Sequence, residues 1–280
     1  MEWYSDLCEY YNVSPEEALK LGTRANGRKP SLPSSPTTHA VSNMTMEDIW
    51  ESSERKTLDE VFNFYKDQGA WSAFRQCVRH KDLKNLHMSI FQNLIDLGAL
   101  FNGAHIGEYG CGVAPFLTSL LEDLNPANAP ALTLTLADVE SEHFTFAQYR
   151  LPKILERKAL KNIKLNFETI TPTSLPSFSP GQLNALLCFE VLEHVPSPIA
   201  ALKNVHSHMV PNAIYVENFI KHDVSDDDKN DGPDLLSARK ERPLYYEILN
   251  KEFELLHPSR QESAMNPNCT RIWRNRAATK

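Results

Sequence analysis

The sequence predicts an α/β protein: a doubly wound sheet, mostly parallel with an antiparallel C-terminal edge hairpin, preceded by an N-terminal helical cap. Three stretches carry that expectation. HIGEYGCGVAPFLTSLLEDL, His105 to Leu124, passes from an apolar segment through Gly110-Cys111-Gly112 into a helix-like run. That is the order of a strand, a tight turn and a helix start. Leu132 to Ala137 is a short apolar run ending at Asp138, and Leu183 to Cys188 is another, ending at Phe189-Glu190. Such runs suit strands buried on both faces of a parallel sheet. Glycine lacks a Cβ and tolerates φ > 0, so the turn lets a ligand approach the backbone. The N–H groups of the following helix then point at that ligand.

Composition bounds the possibilities. The chain has 280 residues, 41% of them hydrophobic, enough to bury a full core in one large domain or one domain with an appendage. A net charge of −7 disfavours non-specific binding to a phosphate backbone. Five scattered cysteines without Cys-x-x-Cys spacing indicate neither a disulfide framework nor a cysteine zinc site. Reduced thiols in a cytoplasmic protein are the expectation. No apolar run is long enough to span a bilayer, and MEWYSDLCEYY is unlike a signal peptide.

In chain order, Trp3 to Leu21 reads as helix in two pieces, the second begun by Ser14-Pro15-Glu16-Glu17 with a cap, a first-position proline and first-turn acids. Arg24 to Asn43 is rich in proline and serine and reads as a linker, either a spacer or a strap over a cleft. Thr45 to Arg79 returns to helical spacing, with Gly69 as a break. Met88 to Leu100 reads as an amphipathic helix, Ala104 to Tyr109 as the first strand, and Ala114-Pro115 as the next helix start. The second strand ends at Asp138, a long helix covers Glu142 to Leu160, and Ile163 to Phe167 is the third strand. Leu183 to Phe189 is the fourth. A helix over Ser197 to Met209 closes at Val210-Pro211-Asn212, and Ala213 to Val216 is the fifth strand. Lys221 to Asp234 is an acidic loop, Leu235 to Lys251 a helix, and Phe253 to Leu256 with Thr270 to Trp273 the edge hairpin. Residues 1–85 thus form the cap and linker, and 86–280 the sheet domain.

HIGEYGCGVAP, LTLADVE and LLCFEVLEHVPSP resemble, in order and spacing, the class I S-adenosylmethionine-dependent methyltransferases, over about Leu86 to the C-terminus. The resemblance implies a Rossmann-like fold, S-adenosyl-L-methionine as cofactor and S-adenosyl-L-homocysteine as product. It places the cofactor at Glu108, Gly110, Cys111, Gly112, Asp138, Val139, Thr171, Phe189 and Glu190. Glu108 would support the methionyl ammonium through the loop. Asp138 would accept from both ribose hydroxyls, a task for an acceptor-only carboxylate, although a helix N-cap is its alternative role. The chain departs from the family at Ala114, where a third glycine is common, and at Thr171, where an acid often holds the adenine. Family members often carry a helical cap that covers the substrate; Tyr65, Trp71 and Arg75 are its candidates for facing the cleft. Arg75 suits the methionyl carboxylate, which a guanidinium holds bidentately.

Glu190, Glu193 and His194 follow the fourth strand, beside the expected methyl position. His194 could be a general base, with Glu190 beside it, since imidazole titrates near neutral pH. The three could instead bind a divalent cation, with His222 as a further ligand, or be structural. The base is favoured over the metal because no second histidine lies nearby in sequence. CFEVLEH also lacks the Asp/Asn-Pro-Pro-aromatic string of amino-methylating DNA enzymes. A small-molecule acceptor methylated at oxygen or nitrogen is the leading expectation, with no nucleic acid, membrane or metal, in a monomer or homodimer. A metal-assisted nucleic-acid 2′-O-methyltransferase and a catalytically silent cofactor-binding protein are the alternatives.

Overall fold

The computed structural model describes residues 2–22, 57–67, 69–178, 182–221, 234–258 and 269–276. Arg24 to Asn43, the first part of the helical spacing from Thr45, and His222 with most of the acidic loop lie outside them. The elements are α1 (Glu2–Tyr11), α2 (Pro15–Gly22), α3 (Leu58–Lys66), α4 (Ala70–His80), α5 (Lys84–Asp96), β1 (Ala104–Tyr109), α6 (Pro115–Asp123), β2 (Leu132–Val139), α7 (Glu142–Arg157), β3 (Ile163–Ile170) and β4 (Leu183–Phe189). After a short 3₁₀ turn (Leu192–His194) come α8 (Pro198–His208), β5 (Met209–Asn218), α9 (Leu236–Glu252), β6 (Phe253–His257) and β7 (Arg271–Asn275).

The seven strands form one sheet in the order β3-β2-β1-β4-β5-β7-β6. β1 pairs in parallel with β2 and with β4, and β4 in parallel with β5. β7 pairs antiparallel with β5 and with β6, the edge hairpin that the sequence predicts. The strand order reverses between β1 and β4, and in such sheets the crevice for a ligand opens at that switch point, beyond the carboxyl ends of the strands.

The chain divides into two compact units. One comprises residues 1–91, 112–129 and 138–161; the other 92–111, 130–137 and 162–280. The first has a core of Leu7, Ala18, Leu21, Ala73, Phe74, Cys77, Val113 and Phe146. Here α1 is tied to α7 by an Arg157–Asp6 ion pair at 2.9 Å and by Tyr11, whose hydroxyl donates to Glu142 at 2.8 Å. Phe74 is fully buried, its ring 4.7 Å from that of Tyr11. The second unit buries Ile106, Leu134, Leu186, Leu187, Ile214, Val216 and Trp273.

β3 runs on to Ile170 and α7 ends at Arg157, each three residues from the sequence expectation, and two elements depart further. α5 runs over Lys84–Asp96 rather than Met88 to Leu100, and Gly98, at φ 70, lies past its end. β5 begins at Met209, not Ala213, and takes in Val210-Pro211-Asn212. Its pairing jumps from Leu183↔Met209 to Ala185↔Ile214, so the proline falls in an irregularity where no ladder N–H is needed.

α7 ends in a left-handed residue: Ala159 has φ 52 and is exposed, and Leu160 N–H returns to Leu155 O at 2.9 Å. Alanine there carries a Cβ penalty that glycine lacks. Ala159→Gly removes no buried contact and is expected to raise stability by about 0.5–1 kcal/mol, offset in part by the looser unfolded chain. A urea melt that shifts to lower midpoint would contradict the assigned helix end.

Candidate active site

In the first unit the site is built around Gly112 and Asp138. Gly112 has φ +53, which turns its N–H towards the carboxylate at the end of β2. Asp138 Oδ2 accepts that N–H at 2.5 Å, and Oδ1 accepts Val139 N–H at 2.6 Å. The helix-cap role weighed for Asp138 belongs to another residue: Ser141 caps α7, accepting Phe144 N–H at 3.3 Å. Burial pushes the Asp138 carboxyl up to about 6, against the two N–H groups that hold it down. α6 starts from Ala114, left-handed at φ 52, with Pro115 in its first turn. Gln76 of α4 lies over the turn, and its Oε1 accepts Val113 N–H at 3.3 Å. Arg75 and Tyr65 are half-buried on α4 and α3; the Tyr65 ring stands edge-on to Phe64 at 5.3 Å. Trp71 is the second residue of α4.

In the second unit, Glu108 is buried in β1, in register with Leu136 and Leu187. The chain leaves β1 through Gly110 at φ +67, whose N–H donates to Ala137 O at 2.8 Å. A Cβ on Gly110 would lie 2.2 Å from Val191 Cγ2. A β-branched side chain has little freedom to yield, so the turn after β1 and the turn after β4 fit together only with glycine here. Cys111 is buried beside it, its N–H directed at Ala137 O at 3.4 Å.

Beyond Phe189, half-buried at the end of β4, Glu190 takes φ 54. Its N–H donates to Asn218 Oδ1 at 2.7 Å, from the end of β5. A left-handed non-glycine residue costs about 1–2 kcal/mol and is found where surrounding structure fixes it, often at functional sites; the Asn218 carboxamide is what fixes it here. The 3₁₀ turn that follows is tied to the start of α9 through Leu235 N–H and Glu193 O at 2.9 Å.

That turn separates the three residues singled out in the sequence. Glu193 is fully buried, whereas Glu190 and His194 are half-buried. Burial, with Asp234 and Glu190 nearby, raises the Glu193 carboxyl well above the ordinary range against the pull of Arg242. His194 Nε2 is 3.9 Å from Glu193 Oε1, beyond hydrogen-bond reach. A metal ligand must be deprotonated, which burial of the Glu193 carboxyl opposes, and no group of three metal-ligating side chains is gathered among the described residues.

Thr171 follows β3 and is exposed; its Oγ1 lies 2.7 Å from Ser174 Oγ within its own turn. Sequence reasoning missed Gln76 and Asn218. Neither carries a charge or a motif, and each acts through a backbone N–H that has no helix or sheet partner.

The residues at the strand ends fit S-adenosylmethionine. A carboxylate accepts one N–H on each oxygen, and each oxygen retains lone-pair capacity for a hydroxyl donor. In the second unit, the turn after β1 has no room for a side chain at Gly110.

The family described as a methyltransferase domain matches residues 83–242. No curated protein matches the chain. Among solved structures, an O-methyltransferase family protein from Burkholderia thailandensis is 11% identical, at a TM-score of 0.50, over 82% of this chain and 66% of that one. The carbon methyltransferases CurJ and DszA are each 15% identical at a TM-score of 0.47, over 79% and 80% of this chain and 58% and 59% of theirs. The chain thus spans less than two-thirds of each of these structures. More than half of its own length is accounted for by one domain, and the chain belongs to the S-adenosylmethionine-dependent methyltransferase family.

Proposed function

We propose that the protein methylates a small-molecule acceptor at oxygen or nitrogen, releasing S-adenosyl-L-homocysteine, with residues 1–85 as a cap and linker and 86–280 as the cofactor-binding domain. S-adenosylmethionine supplies the electrophilic methyl group when bound. Asp138 takes its ribose hydroxyls, with Val139 and Thr171 towards the adenine. Glu108, the Gly110-Cys111-Gly112 turn and Phe189 hold the amino-acid side, and Arg75 takes the carboxylate, with Tyr65 and Trp71 in the same cap. His194 accepts the acceptor's proton and Glu190 orients it, so that the nucleophile meets the methyl carbon in line and away from water.

The observation that supports the base over the metal is the difference in burial: Glu193 is fully buried, whereas Glu190 and His194 are half-buried. A net charge of −7 favours a small acceptor over a nucleic acid. We propose further a cytoplasmic monomer or homodimer; among the described residues no helix is long and apolar enough to cross a membrane. Incubation with methyl-labelled S-adenosylmethionine and either a small-molecule extract or total RNA tests the acceptor class by mass spectrometry. Label is expected in a small molecule and unaffected by chelator. Label in RNA alone, lost on chelation, would replace this reading with the 2′-O alternative.

A further inference from the structure

Gly112 is gripped from two sides. Asp138 takes its N–H at 2.5 Å. On the other side the Gln76 carboxamide lies against its α-carbon: a Cβ there would be 2.5 Å from Gln76 Oε1, 3.3 Å from Cδ and 3.4 Å from Nε2. The same Oε1 accepts Val113 N–H at 3.3 Å. Val113 and Gly112 precede α6, where backbone N–H groups have no intrahelical partner. Without Gln76 the Val113 N–H would need another acceptor.

α4 is fixed where it delivers Gln76. Four residues earlier, on the same face of the helix, the Ser72 backbone is hydrogen-bonded by the buried His143 ring of α7. Ser72 Oγ donates to Gly69 O at 2.7 Å, closing the first turn of α4. Phe74 and Cys77 are buried in the core that also holds Val113 and Phe146. One face of α4 therefore touches both the turn that leads into α6 and the helix that follows Asp138.

We infer that Gln76 is a positioning residue for S-adenosylmethionine, and that α4 braces the turn at Gly112 and Val113. The turn's ligand-ready shape comes from three parts: the left-handed Gly112, the Asp138 carboxylate and the Gln76 amide oxygen. Gln76 acts on the amino-acid half of the cofactor, which the turn receives, and not on the nucleoside half, which Asp138 receives. This rests on the cofactor reading above.

The test is calorimetry on the full chain with S-adenosylhomocysteine and with adenosine, alongside thermal melts. Gln76→Met keeps the length and loses the acceptor; Gln76→Glu keeps an acceptor for Val113 N–H. Gln76→Met is expected to weaken S-adenosylhomocysteine about 5- to 150-fold, the range for one backbone hydrogen bond left unmet. Adenosine affinity and melting temperature should stay near wild type, and Gln76→Glu should recover most of the loss. Unchanged S-adenosylhomocysteine affinity in Gln76→Met overturns the inference. So does a fall for both ligands in step with the melting temperature, which would make Gln76 a packing residue only. Wild-type protein that binds neither ligand would sink the cofactor reading instead.

Discussion

Replacing His194 with alanine is expected to lower methyl transfer by about 10²–10⁴-fold while leaving S-adenosylhomocysteine affinity within about twofold, the range for loss of a positioned general base. The turn places His194 half-buried, with its backbone N–H on Val191 O at 2.9 Å. A thermal melt of the variant separates loss of the base from loss of the fold. The same change should remove the acidic limb of the pH–rate profile, because that limb reports the base in its protonated form. Glu193→Gln should behave differently. Its carboxyl is buried, and that burial pushes it well above the ordinary carboxylate range, so an isosteric amide should cost less than about tenfold in rate. A metal mechanism predicts the reverse, with Glu193→Gln as damaging as His194→Ala. Full activity of His194→Ala at neutral pH would leave acceptor activation to proximity alone.

A second large effect is expected on stability in acid. His80 and His87 face one another with ring nitrogens 3.3 Å apart, and His87 reaches Ser119 Oγ at 2.8 Å. Burial lowers His87 and His143 to about 4 and His80, with help from the His87 field, to about 3. Burial lowers His105 and His208 as well. Each is neutral in the fold but takes a proton near pH 6.5 when unfolded. Their stabilisation is therefore complete above about 6.5 and is lost as pH falls towards the folded values. Asp138 has the opposite sign: raised to about 6, it holds a proton in the fold that the unfolded chain has released. Between pH 6 and 4 the three strongly shifted histidines less Asp138 leave about two protons of difference, or roughly 2.7 kcal/mol per pH unit. Urea melts at successive pH values should show the midpoint dropping steeply over that window, and His87→Asn should flatten it. A midpoint that stays level to pH 4.5 would contradict the buried, neutral assignment.

How far the sequence exposed these features follows from the physics of each element. β1 and β4 were legible to the residue, because apolar runs bounded by Gly110 and by Leu192-Glu193-His194 leave little freedom in register. β5 was legible only in its second half: Pro211 reads as a stop, and a shift of register absorbs it. The turn over Leu192–His194 is too short to show a period. At the site, Asp138 and the glycines stand out by residue type near the ends of β2 and β1. In α4 the sequence draws attention to Arg75, the charged residue, and the structure adds a backbone contact made by its neighbour Gln76. Helical geometry sets the two about 100° apart around the axis. Charge draws attention in a sequence, while a carboxamide that completes an unpaired N–H does not. Likewise, Glu190, Glu193 and His194 read as one cluster in the sequence, and the 3₁₀ turn divides them by burial.

The most direct measurement of the central claim is calorimetric titration of the folded chain with S-adenosylmethionine and S-adenosylhomocysteine from pH 5 to 7.5. Ribose hydroxyls donating to Asp138 favour its ionised form, so binding should release a proton below about pH 6, where the free carboxyl holds one. Both ligands should bind, with affinity level above pH 6 and weakening by up to about tenfold per unit below it. Asp138→Ala should weaken both by about 1–3 kcal/mol and abolish that dependence. Folded protein that gives no heat with either ligand at neutral pH would contradict the account.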